Sequence, residues 1–372
     1  MAQRLLLATP HMSEEGYELE YIQDAFAKNW VAPLGENVNE FEKSMESFMG
    51  WGHAVALSAG TAALHMAMIE AGVGPGDTVF CQSLTFSASA NPILYQGAKA
   101  VFIDSEADTW NMDPNALEKA IALHGVPKAV VAVHLYGNPA KMDAISAICQ
   151  KHGITLIEDA AEALGSEYLD RKCGTWGDFG VLSFNGNKII TTSGGGMLLC
   201  REQTGAKHVL KLATQAREPF PWYQHEEIGY NYRMSNIVAG IGRGQMKVLE
   251  SRIAKKRAIA EGYRQGLAVL PLTLQPENGF SNRWLSVILL DADCGVTPTQ
   301  VLDALNNANI EGRHVWKPMH LQPIFADAPY VSAAEASVSE DLFARGVCLP
   351  SDTKMTEEDV ARVCAVIRDL FA

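Results

Sequence analysis

The residue best placed to do chemistry is a lysine. Lys188 closes the polar loop Asn185-Gly186-Asn187 after an apolar run, Phe179 to Phe184, and before a second one, Met197 to Cys200. Thr191-Thr192-Ser193-Gly194-Gly195-Gly196 leads into that second run. An amine delivered between two buried strands loses solvent, and a desolvated amine attacks carbonyls to form a Schiff base. A solvated loop lysine beside a glycine turn has the same local pattern. Other polar groups follow other apolar runs. Ser58-Ala59-Gly60-Thr61 follows His53–Leu57. Glycine there allows close backbone approach, and the free amides of a starting helix bind phosphate, although an ordinary turn capped by Thr61 reads alike. Phe86 follows Thr78–Gln82 and could stack on a flat ligand or fill a core. His134 follows Ala129–Val133 as a catalytic or structural histidine. Glu158, Asp159 and Glu162 follow the run at Ile154. Crowded carboxylates need cations or solvent; one could pair with a protonated ring nitrogen, or all could complement a helix dipole.

These groups share one rim only if the elements beneath them form a sheet. Seven apolar runs (53–57, 78–82, 100–103, 129–133, 154–157, 179–184 and 197–200) alternate with helical segments such as 61–71, 114–122 and 141–151. Alternating strand and helix predicts a mostly parallel seven-stranded sheet covered on both faces. Ligands then lie beyond the carboxyl ends of the strands. A phosphate cradle, an aromatic plate, a carboxylate and a lysine on one rim are the parts that hold pyridoxal 5'-phosphate.

Glu36 to Met49 carries Val38, Phe41, Met45 and Phe48 at helical spacing, after a loop broken by Pro33 and Gly35. A polar, aromatic stretch, Gly229 to Asn236, precedes one long helix expected from Ile237 to about Leu267. The last hundred residues or so change style, with a strand at 284–290 and helices at 297–307 and 355–371. The expected division is a large α/β domain, 1–245, and a small C-terminal α+β domain, 246–372. The loop Gly312 to Gln322 is a candidate substrate contact or a packed surface loop.

The 372 residues carry a net charge of −13, which argues against nucleic acid or an anionic membrane as the main partner. Seven scattered cysteines without a C-x-x-C read as reduced, in a cytoplasmic protein, and no metal-ligand spacing occurs. No apolar run reaches the length of a signal peptide or a membrane span.

In order and combination, these motifs resemble the DegT/DnrJ/EryC1/StrS sugar aminotransferases, fold-type I enzymes that use pyridoxal 5'-phosphate. The resemblance runs through Ala32-Pro33-Leu34-Gly35, Ser58 to His65, Leu84-Thr85-Phe86, His134-Leu135-Tyr136-Gly137, Glu158-Asp159-Ala160-Ala161, Asn187-Lys188 and Gly229-Tyr230-Asn231-Tyr232-Arg233-Met234. It implies that Lys188 is the Schiff-base lysine and the proton shuttle, that Asp159 partners the pyridine nitrogen, and that Glu162 lies near the phenolic oxygen. It further implies that Phe86 stacks, that Gly60, Thr61 and Ser183 take the phosphate, and that Asn231 crosses a homodimer interface to the neighbour's phosphate, so that the active sites are shared. Two departures stand out. Ala59 occupies a position where many relatives have Ser or Asn, and Ser193-Gly194-Gly195-Gly196 replaces Gly-Glu-Gly-Gly. The loop carrying Trp316, Lys317 and His320 looks like that of C4 aminotransferases making UDP-4-amino-4,6-dideoxy-N-acetylglucosamine on bacillosamine-type routes. Perosamine-type GDP-sugar C4 enzymes and C3 enzymes are the alternatives, as is a sugar dehydratase, which would put histidine at the lysine position. Glutamate is the expected amino donor.

Overall fold

The computed structural model describes residues 3–372. Strands β1 (His53–Leu57), β2 (Thr78–Gln82), β3 (Lys99–Ile103), β4 (Ala129–Val133) and β5 (Thr155–Asp159) are followed by a two-residue ribbon, β6 (Glu167–Tyr168) and β7 (Arg171–Lys172). Then come β8 (Phe179–Ser183), β9 (Gly196–Cys200), β10 (Leu272–Leu274), β11 (Ser286–Leu290), β12 (Arg313–His314), β13 (Tyr330–Val331) and β14 (Gly346–Leu349). The large sheet has the order β1-β9-β8-β5-β4-β2-β3-β13. Neighbours from β8 to β13 are parallel, while β9 runs antiparallel to both β1 and β8.

All seven expected strands are present, and the sheet gains an eighth. Tyr330–Val331 reaches back from the C-terminal part to pair with Phe102 and Ile103 on β3. A two-residue strand has no readable period. The central strands are apolar because both faces are covered: every residue of β4 is buried. The helix Gly60–Glu70 lies directly on the sheet and is buried from Ala62 through Met68, so it shows no amphipathic stripe.

A second, four-stranded antiparallel sheet, β10-β11-β14-β12, forms the smaller domain. Helices Leu249–Gly266, Pro298–Asn307 and Glu357–Arg368 supply its core through Ile259, Tyr263, Val301, Leu305, Val363 and Ile367. Leu5 joins this core and bridges to Ile310.

The single long helix expected from 237 is two helices, Asn236–Met246 and Leu249–Gly266. They break because they serve different surfaces. The first packs on the N-terminal helices through glycine: a Cβ on Gly242 would lie 2.6 Å from the Phe41 ring, and one on Gly244 would lie 2.6 Å from the Glu18 amide nitrogen. The second carries Ile259 and Tyr263 into the small sheet's core.

Phe41 is fully buried and tilts against Phe184 at 5.1 Å between ring centroids, directly beneath the strand end that leads to Lys188. Phe41→Ala should cost roughly 3–5 kcal/mol of unfolding free energy, read as a lower urea midpoint at unchanged slope. A loss below about 1 kcal/mol would show that this layer is not tightly packed.

Candidate active site

Register brings the candidate residues together. Gly196 opens β9 opposite both Leu57, the last residue of β1, and Ser183, the last residue of β8. Asp159 ends β5 beside Val133 and Val181. The carboxyl ends of β1, β4, β5 and β8 therefore share one rim. A cavity of about 430 Å³ opens above it, lined by Gly60, Thr61, Phe86, Asp159, Glu162, Ser183, Lys188 and Trp316, among others. That volume suits a small-molecule site.

One end of the cavity has the form of an anion cradle. Ala59 is extended and caps the helix that starts at Gly60, whose first amides have no partner within the helix. A Cβ on Gly60 would stand 3.0 Å from Ser183 Cβ and 3.2 Å from its Oγ, and one on Gly196 would lie 2.4 Å from the Gly60 nitrogen. Glycine at both places leaves the free amides and the Ser183 hydroxyl facing the same space. This suits a phosphate.

The acids divide by strand pleat. Asp159 faces the cavity rim: its Oδ2 accepts from Ser89 Oγ at 2.6 Å and its Oδ1 from the Ala161 amide at 3.1 Å. Ser89 in turn bonds Thr85 at 2.7 Å. Glu158 points to the opposite face. It accepts from the amides of Gly174 (2.8 Å), Gly177 (2.7 Å) and Trp176, and from His134 Nε2 at 3.0 Å. The Ala140 amide donates to His134 Nδ1, so the proton resides on Nε2. Both residues are fully buried and structural; His134 does not reach the cavity.

Glu162 and Lys188 meet at the cavity's centre. Lys188 Nζ lies 3.3 Å from Glu162 Oε1, with the two side chains 13% and 5% exposed. Glu162 Oε2 accepts from the Tyr136 amide at 2.7 Å. Burial pushes the Glu162 carboxyl up to about 7, against the pull of Lys188 and the Tyr136 amide. Beneath Nζ, 4.2 Å from its ring centroid, is Trp284, whose Nε1 donates to the Asn187 carbonyl at 2.7 Å.

The aromatic wall continues from Trp284 to Trp316, and from Trp316 to Tyr136 and Phe86, at centroid distances of 6.2, 5.0 and 5.8 Å. Phe86 is 59% exposed, so its ring has a face available to a flat ligand.

Residues 12–368 match the family model of the DegT/DnrJ/EryC1/StrS aminotransferases. The chain belongs to that family. It is a pyridoxal phosphate-dependent sugar aminotransferase. EpsN of Bacillus subtilis, provisionally named a pyridoxal phosphate-dependent aminotransferase, is 50% identical over 100% of this chain and 97% of its own length. The GDP-perosamine synthase of Caulobacter vibrioides is 36% identical over 98% of this chain and 97% of its own. The crystal structure of DesI with its TDP-sugar product superposes with a TM-score of 0.90 at 27% identity, covering 100% of this chain and 94% of that one.

Three candidates stand apart from the aminotransferase's cavity. Asn231 is exposed, on an isolated bridge to Thr214, and is absent from the cavity wall. Lys317 follows Trp316 in sequence but is exposed and likewise off the wall. His320 is engaged elsewhere: Nδ1 meets Ser83 Oγ at 2.7 Å, Nε2 meets Glu340 at 3.1 Å, and its ring stacks on Tyr330 at 3.6 Å. The cavity also gains residues that local sequence did not single out: Trp284, Asn185, Glu311, and Leu7 and Ala8 from the N-terminus. Arg313, a residue of the candidate loop, lines the mouth, with its guanidinium 3.0 Å from Glu311.

Glu162 imposes a pH dependence. Between the ordinary carboxylate range and about 7 the folded chain holds a proton that the unfolded chain has released. Stability should therefore fall as pH rises through that window, by up to about 1.4 kcal/mol per unit. Glu162→Gln should flatten the slope in urea unfolding of cofactor-free protein between about pH 4.5 and 7. Equal slopes in the two proteins would contradict this assignment.

Proposed function

We propose that this enzyme moves an amino group from glutamate to C4 of a nucleotide-linked 4-keto-6-deoxy sugar, with UDP-2-acetamido-2,6-dideoxy-4-hexulose as the substrate and UDP-4-amino-4,6-dideoxy-N-acetylglucosamine as the product. The observation that carries the chemistry is the amine of Lys188, held between Glu162 and the face of Trp284 on the same cavity as the anion cradle.

When bound, pyridoxal 5'-phosphate supplies a carbonyl carbon that exchanges amines and a ring that accepts electrons. The site fits it: the amides of Gly60 and Thr61 and the Ser183 hydroxyl would hold the phosphate, Phe86 would cover one ring face, and Asp159 would partner the ring nitrogen. Ser89 and the Ala161 amide fix the Asp159 carboxylate in that orientation. Lys188 Nζ takes the proton from Cα of the amino donor and later delivers one to C4 of the sugar. Glu162, tied to the Tyr136 amide, holds Nζ at the centre of the cavity between these transfers. Trp284, Trp316 and Phe86 give that space an aromatic wall.

Both substrates are anions. Apart from Lys188, Arg313 is the cation on the cavity wall among the described residues, and it stands at the mouth, where a carboxylate or a diphosphate would enter. The sugar assignment draws on the loop around Trp316, the part of its candidate set that reaches the cavity. A GDP-linked 4-keto sugar is the second reading, favoured by the GDP-perosamine synthase relative.

We also propose a homodimer. Asn231 lies outside the cavity of its own chain, as expected of a residue that serves a neighbour, and Trp30, Val31 and Leu34 expose apolar surface in the N-terminal loop. A cytoplasmic location fits the seven free cysteines. Among the described residues, no helix is long and apolar enough to cross a membrane.

Absorption spectroscopy of the loaded protein tests the function. Glutamate should bleach the visible band, and the UDP-linked 4-keto sugar should restore it. Restoration by the GDP-linked sugar alone would move the assignment to the second reading, and no bleaching by glutamate would reject that donor. Lys188→Ala should lower turnover by roughly a thousandfold or more; near-normal turnover would overturn the role of Lys188.

A further inference from the structure

Lys256 lies on the helix Leu249–Gly266, in the interior of the protein, and is only 3% exposed. Lysine is almost never so placed without a compensating role. Its Nζ donates to two main-chain carbonyls, those of Trp284 and Ser351, each at 2.8 Å. Burial pushes its ammonium down to about 7; Lys188 acts in the same direction and Asp352 opposes it. Both bonds persist in either protonation state, because a neutral amine still carries two N–H groups.

The Trp284 carbonyl is one end of a residue whose other end serves Lys188. The indole Nε1 donates to the carbonyl of Asn187, the residue before Lys188, and the ring lies beneath Lys188 Nζ at 4.2 Å. Trp284 is thus clamped at its backbone by Lys256 and at its side chain by the loop that delivers the lysine. The two lysines also line one small polar space behind the site, together with Thr9, His11, Thr191 and Gln245. Packing alone does not call for an amine here, since methionine has similar length without a charge to desolvate.

We infer that Lys256 is a positioning residue that acts through Trp284 to hold the amine of Lys188 in place. The inference rests on the reading of Lys188 as the residue that holds the cofactor. Loss of Lys256 frees two carbonyls and lets the tryptophan under Nζ shift, and displacements of about 1 Å at a reacting group cost up to roughly a hundredfold in rate.

The test is a double-mutant cycle on the loaded enzyme with Lys256→Met and Trp284→Phe, read by kcat, KM for glutamate and the pH midpoint of the visible absorption band. Lys256→Met should lower kcat roughly tenfold with KM within about twofold, and should move the band's midpoint by about half a pH unit or more. In the Trp284→Phe background the same change should cost less than about twofold, because the route it uses is already broken. Should Lys256→Met not fold, Lys256→Gln is read by the same criteria, being one bond shorter and so losing the reach to both carbonyls. Wild-type kcat and midpoint in the Lys256 variant, or effects that simply multiply in the double variant, overturn the inference. Lys188→Ala separates the two readings. A band and turnover that survive it defeat the role of Lys188. Loss of both, beside Lys256 variants that match wild type, defeats the role of Lys256 alone.

Discussion

A chain that places chemistry at the ends of several strands must stop those strands on one line. Here the constraint is concentrated at Gly196, which pairs with the last residues of both β1 and β8. It has no side chain to fill the space that the Ala59–Gly60 turn occupies; a Cβ there would stand 2.3 Å from the Ala59 carbonyl carbon. A slip of one residue along either strand would reverse every side chain between the two faces of the sheet. The neighbours Glu158 and Asp159 show what this means. One satisfies the amides of the Gly174–Gly177 loop on the far face, and the other looks across the cavity rim. Their roles follow from the parity of their positions.

The polar interior is arranged to keep one amine in place without committing it. Glu162 is nearly buried and is shared between a backbone amide and Lys188. An aromatic face is the other neighbour of that amine, an attraction weaker than a second carboxylate would provide. By contrast Arg233, which ties Glu42 to the Ala56 carbonyl, sits in a fixed bidentate pair. The Arg233 guanidinium and the Lys188 amine are thus held by different kinds of contact in the same molecule.

Much of this was legible in the sequence because strands buried on both faces read as unbroken apolar runs, and residues just past those runs fall on the ligand side. Gly60, Asp159, Glu162 and Lys188 follow such runs and do line the cavity; Ser183 lies within a run, and only the family resemblance singled it out. Trp284 was not, because its meaning lies in a contact with Asn187, far away along the chain, while locally it only starts a strand. His320 was misleading for the same reason: a polar loop residue looks available until its partners Ser83 and Glu340 are known. Trp316 and Lys317 are adjacent, yet only the first turns to the cavity, a choice made by the chain's path beside β14. The break between the two helices after 236 was hidden because each half is helical in its own right and only their docking surfaces differ.

The cavity wall draws on distant parts of the chain. Its floor and cradle come from residues 58 to 195 on the large sheet, whereas Leu7, Ala8, Glu311, Arg313 and Trp316 come from the chain's two ends. Substitutions in the second group would reshape the rim and leave the strand register that sets the cradle unchanged. A wall divided in this manner joins a cradle on the large sheet to a rim drawn from both ends of the chain, with Trp284 between them, its indole bonded to the Asn187 carbonyl and its ring against Trp316.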